Sequence, residues 1–191
     1  NIDGSNYKQL FKADDKNVFH ISQPEFVNDD LIIFLSRGKN MDFRFDFNKP
    51  FLIYSNGTMS RINNFCSHYD INPKMNKILC SSEGYIIDLR GEKLMVFPGI
   101  QGHGSWHPDG NHFLMTVQHG YLSNDSIYYG KILLMSLNSN NITSLVSHEN
   151  SYVDSNNQPN AQFSRNGKFV IYESNKYGFG NNDLFIVESG L

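Results

Sequence analysis

The sequence predicts an all-β protein built from four repeats of one four-stranded unit. Three observations carry that prediction. Apolar residues fall in strand-length clusters with almost no helical spacing, at 31–35, 51–54, 77–80, 85–89, 93–97, 113–117, 132–135, 169–172 and 184–187. Asn, Asp, Gly and Ser fill the gaps, and Asp3-Gly4, Asn56-Gly57, Asp109-Gly110 and Asn166-Gly167 are hairpin-turn pairs. Finally, one pattern recurs along the chain: an aromatic or apolar anchor, a tight polar turn, then a buried strand. Aromatic residues make up 14% of the 191 positions, enough to supply a packed core.

The repeats can be taken in order. The first has anchor Phe26, a short turn at Asn28-Asp29-Asp30 and a strand at 31–35; a second hairpin follows, with strands 50–55 and 58–62. The second has anchor Ile71, a degenerate turn at 72–76 and a strand at 77–80, then strands 84–89 and 93–97. The third is the clearest: Trp106, His107-Pro108-Asp109-Gly110, a strand at 113–117, then strands 131–137 and 142–147. The fourth has anchor Phe163, Ser164-Arg165-Asn166-Gly167, a strand at 169–172 and one more strand at 183–188. Its outer strand is missing there, and Asn1–Phe11 reads as that strand at the other end of the chain. The units therefore cover roughly 18–62, 63–97, 98–147, and 148–191 together with 1–12.

Composition narrows the function. A net charge of -3 argues against binding to nucleic-acid backbones. No apolar run approaches the ~20 residues of a membrane helix, and no signal peptide is visible. The two cysteines, Cys66 and Cys80, are too few for a disulfide scaffold and read as buried thiols. No nucleophile elbow, phosphate loop or paired-carboxylate motif is present. Asp14-Asp15 and Asp29-Asp30 read as solvated turn residues.

The anchor, the Pro-Asp-Gly-like turn and the apolar strand, best developed at 106–116 and 163–174 and introduced by Asn1-Ile2-Asp3-Gly4-Ser5, resemble TolB-type β-propeller repeats. The resemblance implies a β-propeller of four four-stranded blades, with the outer strand of the last blade supplied by the N-terminal segment. Two readings stay open: a closed four-bladed ring, or a segment of a larger propeller, in which case oligomerisation would complete the ring. A periplasmic or secreted location is likewise what the resemblance implies.

In such a propeller the first strand of each blade lines the channel. The third residue before each anchor is Gln23, His68, His103 and Asn160, a set expected to converge at one mouth around a divalent metal ion or ordered water. The residues just before the anchors, Glu25, Asp70, Ser105 and Gln162, should face similarly and add carboxylates. His20 lies near the same mouth. The long connectors carry Arg37 and Arg44, then Tyr121, Tyr128 and Tyr129, and are expected on the same face as ligand-binding loops. His107 fills a small-residue slot of its turn and is expected to be exposed; His112, His119 and His148 read as surface residues.

Two functions follow from this reading. The first is a non-catalytic binding module that presents loops at the channel mouth to a protein or an oligosaccharide. The second is a metal-dependent oligouronide lyase, since oligogalacturonate lyases are propellers of similar repeats. In that case Gln23, His68 and His103 would hold metal, Arg37 or Arg44 would bind the uronate carboxylate, and His20 or a tyrosine would remove the proton.

Overall fold

A computed structural model describes residues 19–38, 49–72, 74, 76–117, 130–147, 160–174 and 183–191; for 19–22, 36–38 and 140 it describes the backbone alone. The described residues form strands and turns only, as four antiparallel sheets in chain order. These are propeller blades. The chain separates into two compact units, Asn1–Phe65 and Cys66–Leu191.

The first unit holds one blade, ordered β1 (Phe19–Asn28), β2 (Leu31–Gly38), β3 (Lys49–Tyr54) and β4 (Met59–Arg61). The β1–β2 turn is closed by the Asn28 side chain, which accepts the Asp30 N–H at 2.9 Å. Phe34 and Phe51 stack at 5.6 Å and pack with Ile53. β1 is longer than its counterparts and breaks register between Ser22 and Glu25. That bulge places Gln23 at φ 53, an uncommon backbone state for a residue with a Cβ.

The second unit holds three blades. The first comprises β5 (Tyr69–Ile71), β6 (Lys77–Cys80), β7 (Tyr85–Asp88) and β8 (Lys93–Val96). The next comprises β9 (Gly102–Trp106), β10 (His112–Val117), β11 (Lys131–Ser136) and β12 (Ser139–Ser147). The last has three described strands, β13 (Gln162–Phe163), β14 (Phe169–Ser174) and β15 (Asp183–Glu188). The segment expected as its fourth strand lies outside the described residues.

β10 shows why these strands are continuous apolar runs. Side chains alternate across a strand, and here both faces meet another sheet. Phe113, Met115 and Val117 join Leu79, Ile86, Phe97 and Trp106 on one side. Leu114 joins Val170, Tyr172 and Ala161 on the other. Both faces of the middle blade are therefore core, and among the described residues of this unit the last blade joins that core through one face. Its opposite face leaves Ile171 38%, Leu184 71% and Ile186 64% exposed.

The turns interlock as well. Each glycine of the repeated turn has a positive φ, 77° at Gly110 and 74° at Gly167, the conformation the turn requires. Against each sits the side chain that follows the preceding blade's anchor. Asn72 Nδ2 donates to the Gly110 carbonyl at 2.6 Å. The His107 ring lies over Gly167 and meets Phe163 edge-on at 4.7 Å. His107 is thus only 9% exposed, not the solvated turn residue its slot suggests, because the neighbouring blade's glycine makes room for it.

The cysteines also depart from expectation. Cys66 precedes β5 and Cys80 ends β6, and the hairpin pairing of Tyr69 with Cys80 brings the two to a Cα separation of 5.0 Å, where they form a disulfide. Reduction is expected to cost about 3 kcal/mol, the loop-closure value for a ring of about 15 residues. Urea midpoints with and without reductant measure this, and a Cys66→Ser, Cys80→Ser variant should be insensitive to reductant.

Candidate functional site

The three blades of the second unit enter their inner strands at one end, and His68 and His103 stand at two of those entrances. Backbone bonds bring them together. The His68 carbonyl accepts the Ser81 N–H at 3.0 Å, and the Ser81 carbonyl accepts the Gly102 N–H at 3.1 Å. The turn after β6 therefore stitches the entrance of β5 to that of β9. Close approach also needs Gly104: a Cβ there would lie 2.5 Å from Leu79 Cδ2. The two imidazoles meet with ring centroids 4.4 Å apart, tilted by 56°. Both are partly buried.

Glu83 belongs to the same turn, and the sequence reading missed it. Its Oε1 accepts the Ser67 N–H at 3.0 Å and the Ser67 hydroxyl at 2.5 Å. Its Oε2 is buried with no hydrogen-bond donor among the described residues, which points to a ligand or a water at that atom. Burial, and then the charge of Glu83, push the Tyr85 hydroxyl up to about 12. The only sequence signal for Glu83 is a carboxylate among small turn residues, Ser81-Ser82-Glu83-Gly84, which by itself reads as solvated.

Asp70 lies deeper and ties two blades. Its Oδ2 accepts the Trp106 N–H at 2.6 Å, its carbonyl accepts the Trp106 indole N–H at 3.1 Å, and Oδ1 accepts the Ile71 N–H at 3.0 Å. Burial outweighs these bonds and that to Ser105, and pushes the Asp70 carboxyl up to about 6. A folded pKa above the unfolded value of about 3.9 means that the folded state binds the proton more tightly. The stability Asp70 contributes is complete below pH ~4 and is lost as pH rises through about 6. Urea midpoints between pH 4 and 7 should fall with pH in the parent and flatten in Asp70→Asn.

The other expected site residues are distributed as follows. Asn160 is exposed just before β13. Gln23, exposed, and Glu25, half-buried, belong to the first unit, where the backbones of His20 and Arg37 pair across β1 and β2. Arg44, Tyr121, Tyr128 and Tyr129 lie outside the described residues. Among the described residues, no third histidine, cysteine, aspartate or glutamate ligand joins His68 and His103. Two imidazoles supply part of the three or four protein ligands of a tight divalent site.

No protein-family model and no curated protein matches the chain. Solved structures do. The chain is similar to an oligogalacturonate lyase in complex with manganese, with 16% identity and a TM-score of 0.65, over 88% of this chain and 48% of that one. It is similar to a putative TolB from Agrobacterium tumefaciens, with 13% identity and a TM-score of 0.62, over 90% of this chain and 59% of the other. It is also similar to TolB from Acinetobacter baumannii, with 18% identity and a TM-score of 0.53, over 74% and 35%. The chain thus spans from about a third to less than two thirds of these structures. At such identities the likeness establishes the TolB-like propeller fold, and a fold hosts many functions.

Proposed function

We propose that the chain is a non-catalytic, TolB-like β-propeller module that binds a protein or glycan partner at the mouth where His68 and His103 meet. The observation that carries the reading is the contact of these two imidazoles across adjacent blades, next to the turn where Glu83 holds Ser67 and keeps a buried carboxylate oxygen with no donor among the described residues. The pair is pre-positioned: Asp70, two residues after His68, locks β5 onto Trp106 at the end of β9. A rigid scaffold presenting polar groups at its loops is where binding usually resides. Imidazoles and a carboxylate together offer donors and acceptors suited to hydroxyl-rich sugars or to a polar peptide loop. The Cys66–Cys80 disulfide suits an oxidising compartment, in keeping with a periplasmic or secreted home.

The His68–His103 pair also motivates a second reading, a uronide lyase, in which these histidines would contribute to holding a divalent metal. One titration separates the two. Oligogalacturonides, neutral oligosaccharides of matched length and an acidic peptide are added to the chain while histidine ring resonances and ultraviolet absorbance are followed. The binding module predicts shifts at His68 and His103, affinity reduced about tenfold or more by His68→Ala, and no new absorbance. Growth of conjugated-alkene absorbance with a uronide establishes the lyase instead. Ligand binding that neither His68→Ala nor His103→Ala weakens rejects this mouth as the site.

A further inference from the structure

We propose that the turn between β9 and β10 is a binding site for one transition-metal dication of the zinc, copper or nickel class, held by His107, Asp109 and His112. It stands at the far end of β9 from His103 and so is separate from the mouth. Asp109 lies between the two imidazoles: its Oδ1 is 3.0 Å from His107 Nδ1, and its Oδ2 is 2.7 Å from His112 Nδ1. The three ligand atoms lie within 4.8 Å of one another. Ligands about 2.0–2.1 Å from a common tetrahedral ion stand roughly 3.3 Å apart. A modest rotation of His112, whose side chain is 30% exposed, closes that difference.

The set is oriented before any ion arrives. The Nε2 side of His107 is taken up by Gly167 of the next blade, where a Cβ would come within 1.8 Å of it. Phe163 holds the ring edge-on, which leaves Nδ1 as the nitrogen facing the carboxylate. Asp109 is fixed in turn, accepting the N–H groups of Asn111 at 2.7 Å and His112 at 3.0 Å. His107 Nδ1 lies 3.1 Å from the Asp109 backbone nitrogen, whose N–H it accepts, and 3.0 Å from Asp109 Oδ1, so a bound ion would take over the lone pair that now accepts the N–H. Two imidazoles and a carboxylate favour borderline transition ions over calcium or magnesium, which prefer all-oxygen sites. The partly exposed notch leaves a coordination position for water or for a ligand atom. The bound ion would clamp the exit of β9 to the entry of β10 and, through His107, to the last blade.

The test uses the full chain without a polyhistidine tag, in a His68→Ala, His103→Ala background that removes the mouth imidazoles. Zinc is titrated by calorimetry and cobalt by its visible absorption. One equivalent is expected, with the d–d bands of a low-coordinate nitrogen and oxygen site, and with calcium and magnesium failing to compete. Adding His112→Gln should weaken binding at least about tenfold. Should that variant fold poorly, copper resonance spectra of the tag-free background chain should show coupling to two imidazole nitrogens. Absence of a stoichiometric site, equal affinity in the His112→Gln chain, or copper spectra without nitrogen coupling overturns the proposal.

Discussion

Alanine in place of Phe113 is expected to destabilise the protein by about 3–5 kcal/mol, the usual range for emptying a fully buried phenylalanine site. Phe113 has no solvent exposure and sits where two blades of the second unit meet. Its ring lies 5.2 Å from Trp106 and 5.7 Å from Phe97. The sheets on either side are held by their own ladders and cannot collapse into the void, so most of the cavity persists. Phe113→Leu keeps much of the volume and should cost under about 1.5 kcal/mol. Urea unfolding followed by Trp106 fluorescence measures both, because Trp106 lines the cavity. Equal costs for the alanine and leucine variants would show that the site relaxes and that the blade interface is not close-packed.

Gly167→Ala is expected to cost about 2–4 kcal/mol through two separable causes. Its φ of 74° is a left-handed conformation that strains any residue with a Cβ by roughly 1–2 kcal/mol. The new methyl would also strike the buried His107 ring and break its edge contact with Phe163. A double-mutant cycle divides the two. His107→Ser restores the small side chain that the last blade carries at the same place, Ser164, and removes the collision. In that background Gly167→Ala should cost only the backbone part, so the two changes together are less damaging than their sum. Strict additivity would mean that the ring moves aside freely and that the interlocked turns contribute nothing.

Much of this protein was legible before any coordinates. The anchors Ile71 and Trp106 pair with Ile78 and Phe113, the first apolar residues of the following strands, and Phe26 and Phe163 pair with the second, Ile32 and Val170. Strand ends shifted by only a residue or two in most cases, since period and turn chemistry are local signals. Leu114 and Ile171 show where local signals stop. They hold the same place in successive repeats, yet Leu114 is fully buried and Ile171 is 38% exposed. A sheet carries no local record of whether another sheet covers its second face.

The candidate sites divide in the same way. His68 and His103 could be paired from repeat position alone, because equivalent places on adjacent blades converge. Glu83 could not, for its role depends on Ser67 folding back over the turn. His107 was misplaced because its burial depends on a glycine 60 residues further on. The sequence by itself determined what is written within one repeat: strands, turns, anchors, and the histidines at the inner-strand entrances. Only the tertiary structure decided which side chains meet: the disulfide across the β5–β6 hairpin, the carboxylate between His107 and His112, and, from neighbouring blades, Asp70 bonded to Trp106 and His107 seated over Gly167. Such contacts depend on where side chains meet across a hairpin, around a turn or between stacked blades, which the spacing of residues along a repeat does not encode.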